Sequence, residues 1–239
     1  MSSLNLSAPE RAAINAGAWF ASLSAELRHD ILRLSHVRRL HDGDLISAQG
    51  EPAREWIACA KGAVRVSSTT LSGKQVVLTY IEPGAWFGEV ALFDGEPRTH
   101  DTCAHGDTTL VCVRSADFHD ILRQHCELCG ALLRLQSGRM RQLFGLLEDL
   151  NSLPLRARLA KQLLHLAHHY GVAVDADSPE LRIGLHLAQE ELAQLLGASR
   201  QRVNQDLKAM EREHVIRIEA SGLVLCQPET LQAIAQSEA

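Results

Sequence analysis

The run Gly197-Ala-Ser-Arg-Gln-Arg-Val-Asn-Gln-Asp-Leu-Lys places side chains that can read nucleic acid at helical spacing. Arg, Gln and Asn can read base edges through paired hydrogen bonds, whereas Ser and Lys suit phosphate oxygens. Val203, Leu207 and Met210 recur every three or four residues and form an inward stripe, which leaves Arg200, Gln201, Asn204, Gln205 and Lys208 on or near the outer face. Arg202 adds a cation to the same run. Ser199 stands at the N-cap, where its hydroxyl can satisfy a backbone N–H or bond a phosphate. Gln189 at the start of the preceding helix is a further phosphate candidate. Two other groups invite chemistry and carry less. Cys126-Glu-Leu-Cys129 could be a redox pair, but with no second pair it makes a poor zinc site and reads as two unconnected thiols. His165, His168 and His169 have metal-ligand spacing without the glutamate of a His-Glu-x-x-His enzyme motif, so they read as a solvated helix face. No particular histidine pair stands out for haem. No resident metal is expected.

The elements that must position the Gly197–Lys208 run are legible around it. "AQEELAQLLG" is a short helix, Gly197 permits a left-handed turn, and "SRQRVNQDLKAMEREH" is a second helix. "VIRIEASGLVLCQ" follows as a hairpin through Ser221-Gly222. Helix, glycine turn, helix and hairpin are the order of a winged helix-turn-helix. Upstream, "LPLRARLAKQLLHLAHHYG" is an amphipathic helix ended by Gly171 in the left-handed C′ manner, "VAVDADSPE" is a polar loop, and "LRIGLHL" alternates like a strand.

The first half of the chain has a different texture. Residues 10–34 are helical by periodicity, with Ser24 as a cap. Residues 36–115 hold short β-branched runs, "DLISA", "WIACA", "AVRVSST", "QVVLTYI" and "TLVCVR", punctuated by glycine, with "LSGK" as a hairpin turn. Such spacing predicts an antiparallel barrel or sandwich. From "FHDILRQHC" to "LEDLNSL" the chain is helical. Leu133, Gln136, Met140, Leu143, Leu147 and Leu150 form a heptad seam there, and Leu132, Leu135 and Leu146 form a second stripe. A helix with two apolar faces touches its own domain with one and a second copy of the chain with the other, unless both are buried in a monomer.

Composition sets the outer bounds. At 239 residues the chain accommodates two domains, and 46% hydrophobic with 22% charged residues is that of a soluble globular protein. No window suits a membrane span, the N-terminus lacks the features of a secretory signal, and six scattered cysteines read as reduced thiols, so the cytoplasm is expected. A formal charge of −5 argues against indiscriminate coating of nucleic acid without excluding a local basic face. A cupin-type metal enzyme, prompted by His36, His41, His100 and His105, would leave the C-terminal third unexplained.

Two further motifs make the chain resemble the bacterial cyclic-AMP receptor protein / fumarate-nitrate reduction regulator (CRP/FNR) family, from about Trp19 to the final hairpin. The DNA-binding motif Glu-Leu-Ala-x-x-Leu-Gly-x-Ser-Arg stands here as "EELAQLLGASR", and the cyclic-nucleotide cassette as "FGEVALFDGEPRT". The resemblance implies an α+β architecture: an N-terminal cyclic-nucleotide-binding-type β-roll (a jelly-roll) over residues 1–124, a long dimerisation helix over 125–152 and a C-terminal winged helix-turn-helix over 153–239. It implies an effector site at Gly88, Glu89, Val90, Ala91, Arg98 and Thr99, with Leu143 and Phe144 where cyclic-AMP-binding relatives present Thr-Ser to the adenine. In that site backbone N–H groups and Arg98 would meet a phosphate, Thr99 would add a hydroxyl bond, and Glu89 would accept from a ribose hydroxyl. Alternatively, the glycine-acidic turn serves folding and Arg98 ties down a loop.

Departures from the family pattern bear on specificity. Leu143 and Phe144 cannot reproduce the Thr-Ser hydrogen bonds, although Phe144 could stack on a base. His100 and Asp101 replace the usual residues after the Arg-Thr pair, and Gln201 and Gln205 replace a glutamate and a second base-reading arginine. Arg200 keeps a guanine preference, whereas the glutamines shift the rest toward adenine. The expectation is a homodimeric, sequence-specific transcriptional regulator and not an enzyme. It would bind a pseudo-palindromic duplex and contact RNA polymerase, and it would be switched by cyclic AMP, cyclic GMP or cyclic di-GMP. The alternatives are an effector-independent regulator, one sensing haem-bound gas or redox state, or a nucleotide-sensing module acting on another protein.

Overall fold

The computed structural model describes residues 4–70, 73, 75–175, 178–220 and 222–237. The chain divides into two compact units, Met1–Met140 and Arg141–Ala239. The first begins with helices α1 (Ala8–Ala16), α2 (Ala18–Ala21) and α3 (Ala25–Arg33). The strands β1 (Ser35–Leu40), β2 (Leu45–Ser47), β3 (Glu55–Thr69), β4 (Gln75–Ile81) and β5 (Trp86–Phe87) follow. A short helix α4 (Val90–Asp94), strand β6 (Asp101–Arg114) and helices α5 (Ser115–Gln124) and α6 (Cys126–Ser152) come next, and the boundary between the units falls within α6. All strands pair antiparallel in the order β1-β6-β3-β4, with β2 on β6 and β5 on β3.

Local chemistry accounts for the ends of these elements. Ser7 and Glu10 form a capping box at α1, with the Ser7 N–H donating to the Glu10 carboxylate at 2.7 Å. Ser24 caps α3 by accepting from the Leu27 N–H at 3.2 Å, as its position in the sequence predicts. The main core gathers Ile14, Phe20, Leu27, Ile31, Trp56, Trp86, Phe118 and Ile121, with Trp56 and Trp86 centroids 4.3 Å apart. Leu128, Ala131 and Leu132 of α6 belong to the same cluster, and the Trp19 indole N–H donates to the Ala131 carbonyl at 2.9 Å. Those contacts seat the first half of α6 on the β-roll.

Several predicted elements come out differently. "WIACA" and "AVRVSST" are one strand, β3, because Gly62 bends it rather than ending it: φ is +78°, and a Cβ would lie 2.7 Å from the Asp107 carbonyl oxygen. "TLVCVR" is the end of β6, which starts at Asp101. The helical stretch after residue 115 breaks at His125, whose φ of −123° and ψ of 88° separate α5 from α6. In the "LSGK" turn, Leu71, Ser72 and Lys74 lie outside the described residues; pairing of β3 with β4 runs up to Thr69 and Gln75 on either side.

The second unit holds α7 (Leu155–Tyr170), β7 (Gly171–Ala173), β8 (Leu181–Ile183), α8 (Gln189–Leu195), α9 (Arg200–Arg212), β9 (Ile216–Glu219), β10 (Gly222–Leu225) and α10 (Pro228–Ala235). The strands run in the order β7-β8-β10-β9. Gly171 ends α7 in an extended conformation, not a left-handed one. It already belongs to β7, and its Cβ would lie 2.2 Å from the Ala167 carbonyl oxygen, so close approach is what requires glycine. The start of the expected polar loop is therefore edge strand, while Ala176 and Asp177 lie outside the described residues. The β9–β10 hairpin forms as expected, with Ser221 of its turn outside them too. Unforeseen was α10, which has proline at its start and buries Leu231 and Ala235.

Candidate nucleic-acid interface and effector cassette

Helices α8 and α9 pack through Leu192, Ala193, Leu196, Val203, Leu207 and Met210, all buried. Gly197 makes the turn at φ +59°. Ser199 caps α9, accepting from the Arg202 N–H at 3.4 Å, so its hydroxyl sits at the open helix N-terminus. Arg200, Gln201, Arg202, Gln205 and Lys208 are exposed on α9, and Gln189 is half-buried at the start of α8. Asn204 is half-buried, with its Oδ1 shielded and without a hydrogen-bond partner, because it follows directly after Val203 and lies one turn from Leu207.

The charges of this unit are sorted. Arg156 bonds Glu213, Lys161 bonds Asp149 at 2.6 Å, Arg182 bonds Glu219 at 2.9 Å, and Arg217 bridges Glu180 and Glu219. Among the described residues, Arg200, Arg202 and Lys208 have no ion-pair partner for their side chains. Three cations without an ion-pair partner thus lie on the helix that carries the polar outer face.

The β-roll brings Gly88, Glu89 and Arg98 together. Gly88 has φ +89°, and a Cβ there would lie 2.4 Å from Arg98 Nη1. Arg98 donates to the Gly88 carbonyl at 2.8 Å and to the Glu55 carbonyl. Burial draws its pKa below the usual guanidinium value, against the charges of Glu89 and Glu55. Glu89 is fully buried, and its carboxylate accepts from Gln136 and Arg139 of α6; Arg139 also donates to the Trp86 carbonyl. The other carboxylate oxygen of Glu89, Oε2, is buried without a partner. Thr99 is exposed and bonds the His100 ring at 2.8 Å. Val90 is exposed, Ala91 is buried, and Asp101 accepts from the Gln49 N–H at 2.8 Å.

The remaining residues expected in the seam and against a base lie along α6. Leu133, Met140, Leu143, Phe144, Leu147 and Leu150 are all more than half exposed, whereas Gln136 is half-buried with its amide on Glu89. Sequence reasoning missed Arg139 as the partner of Glu89. The available signal was its three-residue spacing from Gln136, which puts both on one helix face. Cys126 and Cys129 are exposed, and the rings of His165 and His169 lie 4.6 Å apart on α7.

Residues 37–125 match the cyclic nucleotide-binding domain family, and residues 157–234 match the Crp-like helix-turn-helix domain. With both domains in this order, the molecule is a DNA-binding transcriptional regulator. The chain is 34% identical to the CRP-like cAMP-activated global transcriptional regulator of Mycobacterium tuberculosis, over 79% of this chain and 83% of that one. It is 30% identical to the cyclic AMP receptor protein of Thermus thermophilus, over 85% and 91%. Among solved structures, FixK2 of Bradyrhizobium japonicum shares the fold with a TM-score of 0.75 at 17% identity, over 86% of this chain and 99% of that one. TTHB099, a CRP-family regulator of Thermus thermophilus, gives 0.69 at 25%, over 84% and 97%. The chain belongs to the CRP/FNR family of transcriptional regulators. No helix among the described residues is long and apolar enough to cross a membrane.

Proposed function

We propose that this regulator is a cytoplasmic homodimer joined along the exposed apolar stripe of α6, and that a cyclic nucleotide in the β-roll switches it. The observation that carries the effector reading is Glu89 Oε2, a carboxylate oxygen buried without a donor within the electrostatic reach of Arg98. An unpartnered buried acceptor costs about 1–3 kcal/mol, which a donated hydroxyl would relieve. A bound cyclic nucleotide would supply that hydroxyl from its ribose and a phosphate charge for Arg98 and Thr99. Relatives named as cAMP-activated make cyclic AMP the first candidate. Gln136 and Arg139 join Glu89 to α6, so occupancy of the cassette would act on the helix that carries the stripe.

On the DNA side, Arg200, Gln201 and Gln205 of α9 would read base edges, while Ser199, Arg202, Lys208 and Gln189 would hold phosphates. Asn204 would contribute only after turning out of its half-buried position.

One observation favours effector independence. Both terminal nitrogens of Arg98 already donate to backbone carbonyls, as in an arginine that ties down a loop. Thermal unfolding with millimolar cyclic AMP, cyclic GMP and cyclic di-GMP, alongside Arg98→Ala, separates the two readings. A dose-dependent rise in Tm that the variant loses supports the switch. No shift with any of the three, together with undiminished operator binding, supports the constitutive reading.

A further inference from the structure

The β-roll holds a second constellation that the effector reading does not use. His36 of β1 stands directly opposite Cys112 of β6, and Cys112 is opposite Ile57 of β3. Glu55 lies two residues before Ile57 and therefore faces the same side of the sheet. One side chain from each of three adjacent strands thus converges on one spot. His36 Nε2 lies 3.0 Å from Glu55 Oε1, and the ligand atoms of His36, Glu55 and Cys112 all fall within 4.8 Å of one another. Cys112 is fully buried and forms the floor, while His36 is partly open to solvent.

We propose that His36, Glu55 and Cys112 form a binding site for one thiophilic divalent cation of the zinc class. The donor set selects the ion: imidazole nitrogen and thiolate sulfur with one carboxylate suit zinc, cobalt or nickel, whereas magnesium and calcium take oxygen alone. Tetrahedral zinc, with bonds of about 2.0–2.3 Å, sets its ligand atoms about 3.3–3.6 Å apart. The observed spacing brackets that range, so side-chain rotation closes the site without moving the strands. On binding, the Cys112 Sγ–H proton passes to solvent as the sulfur–metal bond forms. His36 ligates through the Nε2 lone pair, and no electron transfer is involved.

Arg38 fits this assignment as a supporting group. Its Nη1 donates to Glu55 Oε2 at 2.9 Å, which leaves Oε1, on the His36 side, for the cation. Thiolate and carboxylate set two negative charges against the ion's two and that of Arg38, which leaves the closed site with one net positive charge. Three protein ligands leave a fourth position for water on the solvent side. The cation would clamp β1, β6 and β3.

The test is a cobalt titration of the full-length protein, stripped with chelator and dialysed. The expected result is one cobalt per chain, a thiolate-to-cobalt charge-transfer band in the near ultraviolet, and its displacement by zinc. Cys112→Ser abolishes the band, and His36→Gln weakens binding by at least about tenfold. A Cys126→Ser/Cys129→Ser variant and a His165→Gln/His169→Gln variant retain both band and stoichiometry. Absence of the band, its survival in Cys112→Ser, or its loss in Cys126→Ser/Cys129→Ser overturns the proposal. If Cys112→Ser fails to fold, the partly exposed His36 carries the test, and unchanged affinity in His36→Gln overturns it.

Discussion

At the scale of single residues, α9 divides its labour by side-chain shape. Arg200 can present a planar two-donor fork to a guanine, whereas Lys208 is a point charge suited to any phosphate. Arg200→Ala is therefore expected to cost roughly 1–3 kcal/mol on the specific site and to relax one guanine position. Lys208→Ala should weaken all duplexes alike and lower the salt slope by about one unit per chain of the dimer. Binding measured on operator and scrambled duplexes across a salt series checks this. Equal losses on both duplexes for both variants would remove the distinction. The outward placement of these residues was legible because Val203, Leu207 and Met210 fix the phase of the helix. The bonds from Arg139 and Gln136 to Glu89 were not legible, since they depend on how α6 docks on the β-roll. Likewise, His36 and Cys112 are 76 positions apart in the sequence, and only strand register brings them together.

At the scale of elements, α1 is tied to the sheet by one buried carboxylate. Glu10 is 4% exposed, closes the capping box, and accepts from Arg39 at 2.8 Å and Thr109 at 2.8 Å. The Arg39 guanidinium is the main cause that lowers its pKa from 4.5 to about 2. Because the folded value is depressed, the stabilisation is complete above about 4.5 and is lost as pH falls toward about 2. Arg39 itself is half exposed, so solvent screening keeps the contribution at neutral pH well below what the full shift would supply. Glu10→Gln should thus unfold at lower denaturant than the parent at pH 7, with the gap narrowing between pH 4.5 and 2. A gap constant across that window would contradict the ion-pair account. The α1 helix itself was legible in outline, but a buried role for its glutamate was not. Periodicity places Glu10 at the helix start without showing that a strand arginine lies above it. In β3 the ambiguity ran the other way: Gly62 looked like a boundary, but it accommodates an irregular register within one continuous strand.

At the scale of the whole molecule, charge and symmetry must act together. A chain with a formal charge of −5 gains little from general attraction to DNA, so affinity rests on the few cations α9 leaves uncommitted. With Arg202 and Lys208 from each chain of the proposed dimer on phosphates, the slope of log affinity against log salt should approach about −4. Selection from random duplexes should return an inverted repeat with half-site centres about 34 Å apart. The apolar stripe of α6 supplies the means of testing that coupling. Leu147 is 55% exposed in the single chain, and Leu147→Glu places a charge where the second copy would bury it. Sedimentation should then show monomers, the salt slope should fall to about half, and preference for the inverted repeat over a single half-site should disappear. A monomeric variant that kept the full slope and the repeat preference would mean that the stripe is not what sets operator symmetry. A variant that stayed dimeric would place the seam elsewhere than on this face of α6.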